Sequence, residues 1–194
     1  MLQSDKDKAG AMREGFDVLL LPGWLNSGPG HWQTRWEALH GFHRVEQDEW
    51  TWPRRGDWMA RLDETLLALP PRPVLLAAHS LGCHLVAAWA AHSAHAGRVH
   101  GALLVAPPDL GRADLPPQLA GWRHAVRRRL PFPGIAVLSD DDPFGSVDAV
   151  LPLAQAWGAE VVRAGARGHL NADSGLGDWP EGLDFLKRLA ARAQ

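Results

Sequence analysis

Cysteine, tyrosine and long apolar runs are scarce in this sequence, and neither sign of charge dominates. The single cysteine, Cys83, excludes an intramolecular disulfide framework and a cysteine-rich zinc site. The 20 basic residues are balanced by 22 acidic ones, so no basic surplus would attract nucleic acid or an anionic membrane. We therefore expect no nucleic-acid partner, no membrane partner and no bound metal.

The apolar runs are also too short to cross a bilayer. The longest lie near residues 74–78 and 85–91, whereas a spanning helix needs roughly 20 apolar residues. Residues 1–15 are polar, and the brief run Val18–Leu21 that follows does not make a signal peptide. We predict a disordered segment over 1–15 and one domain over 16–194, in a cytoplasmic protein that is a monomer or a weak homodimer.

Short continuous apolar runs alternate with helical patterns along the chain. These runs are continuous rather than alternating, and most stop at glycine, proline or acidic residues, which is typical of strands buried on both faces of a parallel sheet. The runs are Val18–Leu21, Pro73–Ala78, Val99–Val105, Ile135–Leu138 and Ala159–Arg163, with a weaker edge candidate at His43–Asp48. The alternation predicts a single three-layer α/β domain with a mostly parallel sheet of about six strands.

Ser80 lies between the second run and an apolar helical segment. Residues 78–82 (Ala-His-Ser-Leu-Gly) fit the strand–turn–helix context of the nucleophile elbow G-x-S-x-G, with Ala78 in place of the first glycine. The alternative is that Ser80 only caps the helix that follows. The position of the turn between strand and helix favours a nucleophile.

A serine nucleophile needs a base, and His169 is the best placed of the ten histidines. It follows the last predicted strand, and the carboxyl ends of parallel strands share one edge of the sheet. It also comes last in the chain order Ser…Asp…His of hydrolases with this elbow. An imidazole base predicts activity that falls as the pH drops through about 6.5.

The base needs an orienting acid, and three acids follow the fourth strand. Like charges this close raise each other's pKa unless one is paired, so one carboxylate is expected to face the imidazole. Asp142 is favoured because Pro143 fixes the turn after it, while Asp140 and Asp141 remain alternatives. The competing interpretations are an acidic turn in solvent and a metal-binding loop.

The oxyanion hole requires two backbone N–H donors. One is expected from Leu81, directly after the nucleophile, and the other from Trp24 in the loop after the first strand, with Leu25 as second choice. Of ten tryptophans, those on helical faces are expected in the core. The residues expected to line the substrate site are Leu25, His79, Trp52 and Trp179.

Five motifs together resemble a known family, the small serine hydrolases typified by retinoblastoma-binding protein 9 and the bacterial YdeN-like proteins. They occupy residues 21–33, 57–63, 78–83, 139–144 and 168–182. The resemblance implies an α/β-hydrolase fold with Ser80 as nucleophile, His169 as base and the aspartate before proline, Asp142, as acid. A chain this short leaves only 107–133 to cover the site, so we expect a minimal lid or none.

The resulting hypothesis is a serine hydrolase that cleaves small carboxylic esters through an acyl-enzyme, with no cofactor. Amide and thioester hydrolysis are less favoured. The alternative is a non-catalytic interaction module built on a hydrolase fold, because a fold alone does not fix a function.

Overall fold

The computed structural model describes residues 15–192, so nearly all of the segment 1–15 predicted to be disordered lies outside the described residues. The strands are β1 (Asp17–Leu21), β2 (His43–Arg44), β3 (Val74–His79), β4 (Val99–Val105), β5 (Gly134–Leu138) and β6 (Glu160–Arg163). The α-helices are α1 (Trp32–His40), α2 (Arg55–Ala68), α3 (Leu81–Ala90), α4 (Val147–Ala156) and α5 (Pro180–Ala190).

All six strands run parallel in one open sheet with the order β2-β1-β3-β4-β5-β6. The two-residue β2 lies at an edge, as the sequence predicted. The register pairs Leu21 with Ala78 and His79 with Val105, so β1, β3 and β4 end at nearly the same level. The loops that follow these strands therefore meet at one rim, which is where parallel sheets bind ligands.

The sheet is covered on both faces, which confirms the three-layer prediction. Alternate residues of β3 point to opposite sides because side chains of a strand alternate between faces. Leu76 packs in a core with α2, α3 and α4, while Leu75 packs in a second core with α1 and α5. The tryptophans predicted to lie in the core are almost fully buried: Trp32, Trp36, Trp58, Trp89 and Trp157.

The segment after β4 does not form a separate covering domain. Its regular structure is a short 3₁₀ helix, Pro117–Trp122. Six apolar side chains pack into the core beside α2 and α3: Leu110, Leu115, Leu119, Trp122, Leu130 and Phe132. Residues 107–133 are thus held against the body of the domain.

Between residues 15 and 192, no helix combines the length and the apolar character needed to cross a bilayer.

Candidate active site

Ser80 occupies a sharp turn between β3 and α3. Its backbone has φ 53° and ψ −122°, a strained conformation for a residue with a side chain. The N–H of Ser80 donates to the carbonyl of Val105 at 2.9 Å, and its carbonyl accepts from the N–H of Cys83 at 2.9 Å. The turn is therefore held by the neighbouring strand and by the helix that starts after it.

Small residues on either side allow this turn to form. A Cβ at Gly82 would collide with the backbone carbonyl oxygens of Leu21 and Pro22. Ala78 is fully buried, and the Cys83 thiol lies near its carbonyl oxygen at 3.7 Å. The strand–turn–helix geometry predicted from residues 78–82 is thus present with alanine in place of the first glycine.

Ser80, His169 and Asp142 form a continuous hydrogen-bonded chain. Nε2 of His169 lies 2.9 Å from Oγ of Ser80. Nδ1 of His169 lies 2.9 Å and 3.0 Å from the two carboxylate oxygens of Asp142. Since a carboxylate can only accept, Nδ1 carries the hydrogen and Nε2 is free to accept the serine proton. The side chain of Asp142 is 3% exposed and that of His169 is 10% exposed, so both are largely shielded from solvent.

The three adjacent acids each have a different partner. Asp140 pairs with the Arg163 guanidinium at 2.7 Å, at the surface. Asp141 accepts from the N–H of Gly168 at 2.7 Å, and this bond lowers the pKa of its carboxyl group. Asp142 alone reaches the imidazole of His169. One acid of the three thus faces the imidazole, while the other two have partners elsewhere.

The loop after β1 passes directly over the serine. A Cβ at Gly23 would lie 2.8 Å from the Ser80 Cβ and 3.2 Å from its Oγ, so only glycine allows this approach. Within residues 15–192, neither the backbone N–H of Trp24 nor that of Leu81 makes a hydrogen bond, whereas the Trp24 indole N–H donates to the carbonyl of Thr51 at 2.9 Å. The N–H of Leu25 is already used, since it donates to the carbonyl of Trp50 at 3.3 Å. Of the two donors predicted in this loop, Trp24 is thus the available one.

Buried polar side chains fix the shape of this loop. Gln33 is fully buried, and its amide donates to the carbonyls of Leu21 at 3.1 Å and Ala77 at 2.9 Å. Arg44 donates to Asn26 Oδ1 at 2.6 Å, which helps hold a stretch where Leu25 and Asn26 both have positive φ. Sequence reasoning gave neither Gln33 nor Arg44 a role, although Gln33 ends the first family motif.

Two of the four predicted lining residues are exposed and come from two loops that contact each other, since the Leu25 N–H donates to Trp50 and the Trp24 indole donates to Thr51. Leu25 is 58% exposed and Trp52 is 56% exposed, unusual values for large apolar side chains. Phe144, which the sequence reasoning did not single out, is 48% exposed and contacts the imidazole of His169 with ring centres 4.6 Å apart. Apolar surface therefore flanks the site from the β1 loop and from the acid loop.

The other two predicted lining residues lie inside the protein. Trp179 is 3% exposed and stacks on Trp36 with ring centres 5.9 Å apart, because helix α5 begins there and turns the ring into the core. His79 is 5% exposed, and its Nε2 lies 2.9 Å from the carbonyl oxygen of His169. Contrary to the prediction, neither side chain lies on the exposed rim, although Trp179 lines a separate pocket with Ala166 and Arg167.

Two buried histidines form a row of contacting rings that ends at His169. The ring of His31 lies 4.5 Å from that of His79, which in turn lies 4.8 Å from that of His169. Burial, with smaller effects of Arg44 and His169, lowers the pKa of His31 to about 3. Burial also holds the pKa of His79 well below its usual value, aided by His31 and His169. Both side chains are therefore neutral near pH 7.

A cavity of about 260 Å³ lies elsewhere on the domain, beside His84. Residues 108–111 and 123–127 and the helix α4 contribute to its wall, and none of the lining residues is Ser80, His169 or Asp142. Among residues 15–192, no cluster of three or more histidine, cysteine, aspartate or glutamate side chains could hold a metal ion.

A family model described as serine hydrolase matches residues 18–188, most of the chain. This chain belongs to the serine hydrolase family. The family match and the geometry at Ser80 come from different observations, since one rests on sequence along the domain and the other on side-chain positions. No curated protein matches the chain.

Solved structures place this serine hydrolase among α/β hydrolases. A YdeN-like hydrolase from Pectobacterium atrosepticum is 27% identical, with TM-score 0.83 and coverage of 96% of this chain and 97% of that one. The ydeN gene product of B. subtilis is 21% identical, with TM-score 0.70 and coverage of 92% and 100%. Est1E from Butyrivibrio proteoclasticus shares the fold at 12% identity, TM-score 0.64 and coverage of 92% and 90%. The predicted family and fold are confirmed.

Proposed function

We propose that this serine hydrolase cleaves carboxylic esters, with Ser80 as nucleophile, His169 as general base and Asp142 as the acid that orients it. The observation that carries the proposal is the unbroken hydrogen-bonded chain from Ser80 Oγ through the imidazole to the buried carboxylate. A hydroxyl becomes a useful nucleophile when a positioned base can take its proton as the new bond forms. The family assignment and the strained turn at Ser80 support the same roles.

The reaction proceeds in two halves. Oγ of Ser80 attacks the ester carbonyl while Nε2 of His169 takes the hydroxyl proton, and Asp142 stabilises the imidazolium. The proton then passes to the departing alkoxide, which leaves as the alcohol and gives an acyl-serine. Water attacks the acyl group with His169 again as base, and the carboxylic acid leaves as Ser80 regains its proton.

The negative oxygen of each tetrahedral intermediate needs donors already in place. The backbone N–H groups of Leu81 and Trp24 belong to the two segments that meet at Ser80, and neither has a partner among the described residues. Leu81 is also the first residue of α3, and a helix N-terminus favours negative charge. We assign the oxyanion hole to these two amides, because such donors stabilise the transition state most when they need not reorganise.

The exposed apolar rim suggests which esters fit. Leu25, Trp52 and Phe144 are all about half exposed. Leu25 follows Trp24, Trp52 follows Thr51, to which the Trp24 indole donates, and Phe144 contacts the imidazole of His169. We place the acyl chain on this open rim, because neither the cavity beside His84 nor the pocket beside Trp179 is lined by any of the three reacting side chains. Esters with short or flexible apolar acyl groups are therefore expected to be better substrates than charged ones.

Steady-state hydrolysis of p-nitrophenyl esters of increasing acyl length tests the proposal. The expected result is activity that the substitution Ser80→Ala abolishes. We expect Trp52→Ala and Leu25→Ala to raise KM for the longer esters with little change in kcat, because binding on the rim is lost. Folded protein without Ser80-dependent turnover on esters would contradict ester hydrolysis and favour the non-catalytic interaction module. The cytoplasmic location and the oligomeric state remain predictions from the sequence.

A further inference from the structure

The backbone around His169 is tied at four consecutive residues to side chains from distant parts of the chain. The bonds are Arg167 N–H to Ser139 Oγ (2.9 Å), Gly168 N–H to Asp141 Oδ1 (2.7 Å), His79 Nε2 to the His169 carbonyl (2.9 Å) and Trp32 Nε1 to the Leu170 carbonyl (3.0 Å). The partners come from the end of β3, from α1 and from the loop after β5 that carries the three acids. The backbone is thus held on both sides of His169, whose side chain must point at Ser80.

The conformation of this segment explains why it needs such ties. Gly168 has φ 57° and Leu170 has φ 49°, so both neighbours of His169 lie in the left-handed region. That region is unfavourable for leucine, so we expect the segment to relax if these hydrogen bonds are lost. The Leu170 side chain is fully buried, and its carbonyl is bound by the Trp32 indole.

His79 is well suited to hold the carbonyl of His169. A carbonyl oxygen only accepts, so Nε2 of His79 carries the hydrogen and donates it. The groups that face His79 are the imidazoles of His31 and His169, and no carboxylate is among the causes of its shifted pKa. Burial keeps this ring neutral near pH 7, so it adds no positive charge behind the base. The His31 ring packs on its other side and limits its movement.

We propose that His79 is a positioning residue, which with Trp32 holds the backbone at His169 and Leu170 so that the imidazole points at Ser80. This inference rests on the proposed function, since it assigns His169 as the base. His79 contacts the carbonyl oxygen of the base residue and takes no proton from the substrate. Its role is to keep the reacting atoms at bonding distance, and misplacement by about 1 Å can lower a rate on the order of a hundredfold.

The test compares two substitutions of His79 with a matched control. His79→Phe keeps a planar ring but removes the N–H donor, whereas His79→Gln keeps a donor near the position of Nε2. His84→Phe is the control, because His84 is also buried and its Nε2 lies 2.9 Å from a carbonyl, that of Pro108. The readouts are kcat and KM on a p-nitrophenyl ester and amide hydrogen exchange of residues 164–171.

We expect His79→Phe to lower kcat roughly tenfold to a hundredfold with KM within about twofold, and to speed exchange in 164–171. His79→Gln should restore most of kcat and the slow exchange, and His84→Phe should leave both unchanged. Unchanged kcat and exchange in His79→Phe would overturn the proposal. A raised KM with unchanged kcat would also overturn it and return His79 to the substrate surface.

Two further measurements test the proposal if His79→Phe does not fold or if the unsubstituted protein is inactive on esters. If His79→Phe does not fold, Trp32→Phe removes the N–H bound to Leu170 together with part of the buried ring. Trp157→Phe is its control, because Trp157 is equally buried and its Nε1 donates to the Val126 carbonyl at 2.8 Å. If the unsubstituted protein shows no Ser80-dependent hydrolysis, the proposed function fails. Hydrogen exchange of 164–171 still decides in that case whether His79 holds the segment.

Discussion

Adjacent carboxylates in the loop after β5 meet different surroundings, and this difference assigns their roles. Asp142 is buried against the imidazole of His169, whereas Asp140 pairs with Arg163 at the surface. Exposed ion pairs of that kind contribute little free energy. In the proposed mechanism, Asp142 is therefore the only one of these three adjacent acids that acts on the base.

Replacing these two acids separately tests the assignment. Asp142→Asn keeps the side-chain shape but removes the charge that stabilises the imidazolium, so we expect kcat to fall roughly a thousandfold or more. Asp140→Asn should change kcat by less than about threefold, since only an exposed pair is lost. Both variants are measured on the same ester. Equal losses in the two variants would contradict the role given to Asp142.

Gly23 offers a second test, of the oxyanion hole. Gly23→Ala would bring a Cβ to 2.8 Å from the Ser80 Cβ and so displace the loop that carries the Trp24 amide. We expect kcat to fall on the order of a hundredfold, as for the loss of one oxyanion donor. Gly28→Ala in the same loop is the matched control, because nothing lies within 4 Å of its added Cβ. Full activity in Gly23→Ala would contradict the assignment of the Trp24 amide.

Residues whose roles depend on short sequence spacing were predictable, and those that depend on distant contacts were not. Pro143 favoured Asp142, and the small residue Gly82 marked the turn at Ser80. The bond from Trp32 to the Leu170 carbonyl, by contrast, joins residues 138 positions apart, and local spacing carries no signal of it. The same distance effect led to the error at Trp179, whose ring turns inward from a rim loop.

At the scale of elements, the site depends on how closely α3 crosses the end of β1. Gly82, one residue into the helix, touches the carbonyl oxygens of Leu21 and Pro22, so backbone meets backbone there. Continuous apolar runs made the strands predictable, because both faces of this sheet are buried. The bounds of the edge strand were less predictable, because only His43 and Arg44 of the candidate run His43–Asp48 form a strand.

Gly82→Ala tests that crossing. The added methyl group has no room between two backbone segments, so we expect the free energy of unfolding to fall by about 1–3 kcal/mol or more. Gly97→Ala is the control, since nothing lies within 4 Å of its Cβ. Urea denaturation followed by tryptophan fluorescence measures both. A Gly82→Ala protein as stable as Gly97→Ala would mean that the crossing tolerates a wider separation.

At the scale of the whole molecule, neutral buried histidines link folding to pH. Burial lowers the pKa of His31 to about 3 and that of His84 to about 4, against 6.5 for an exposed side chain. Below about pH 6.5 these histidines therefore bind protons in the unfolded chain, whereas in the folded chain they stay neutral until the pH approaches 4 and 3. Stability from these groups is fully present above that pH and is lost progressively as the pH falls toward 4 and 3.

We accordingly expect the free energy of unfolding to decrease between pH 7 and pH 5, by up to about 1.4 kcal/mol per pH unit for each such histidine. His84→Gln should make this dependence shallower, because the glutamine does not titrate. Urea denaturation at pH 7, 6 and 5 measures the slope. A slope equal in His84→Gln and in the unsubstituted protein would show that His84 does not contribute.

The most direct measurement of the central assignment is covalent labelling of the folded protein with a fluorophosphonate, followed by mass spectrometry of its peptides. Such a probe phosphonylates a serine only where a base activates the hydroxyl and amide donors receive the oxyanion. The account predicts a single adduct on Ser80, absent in Ser80→Ala and strongly slowed in His169→Ala. An unlabelled Ser80 in folded protein, or equal labelling in His169→Ala, would contradict it.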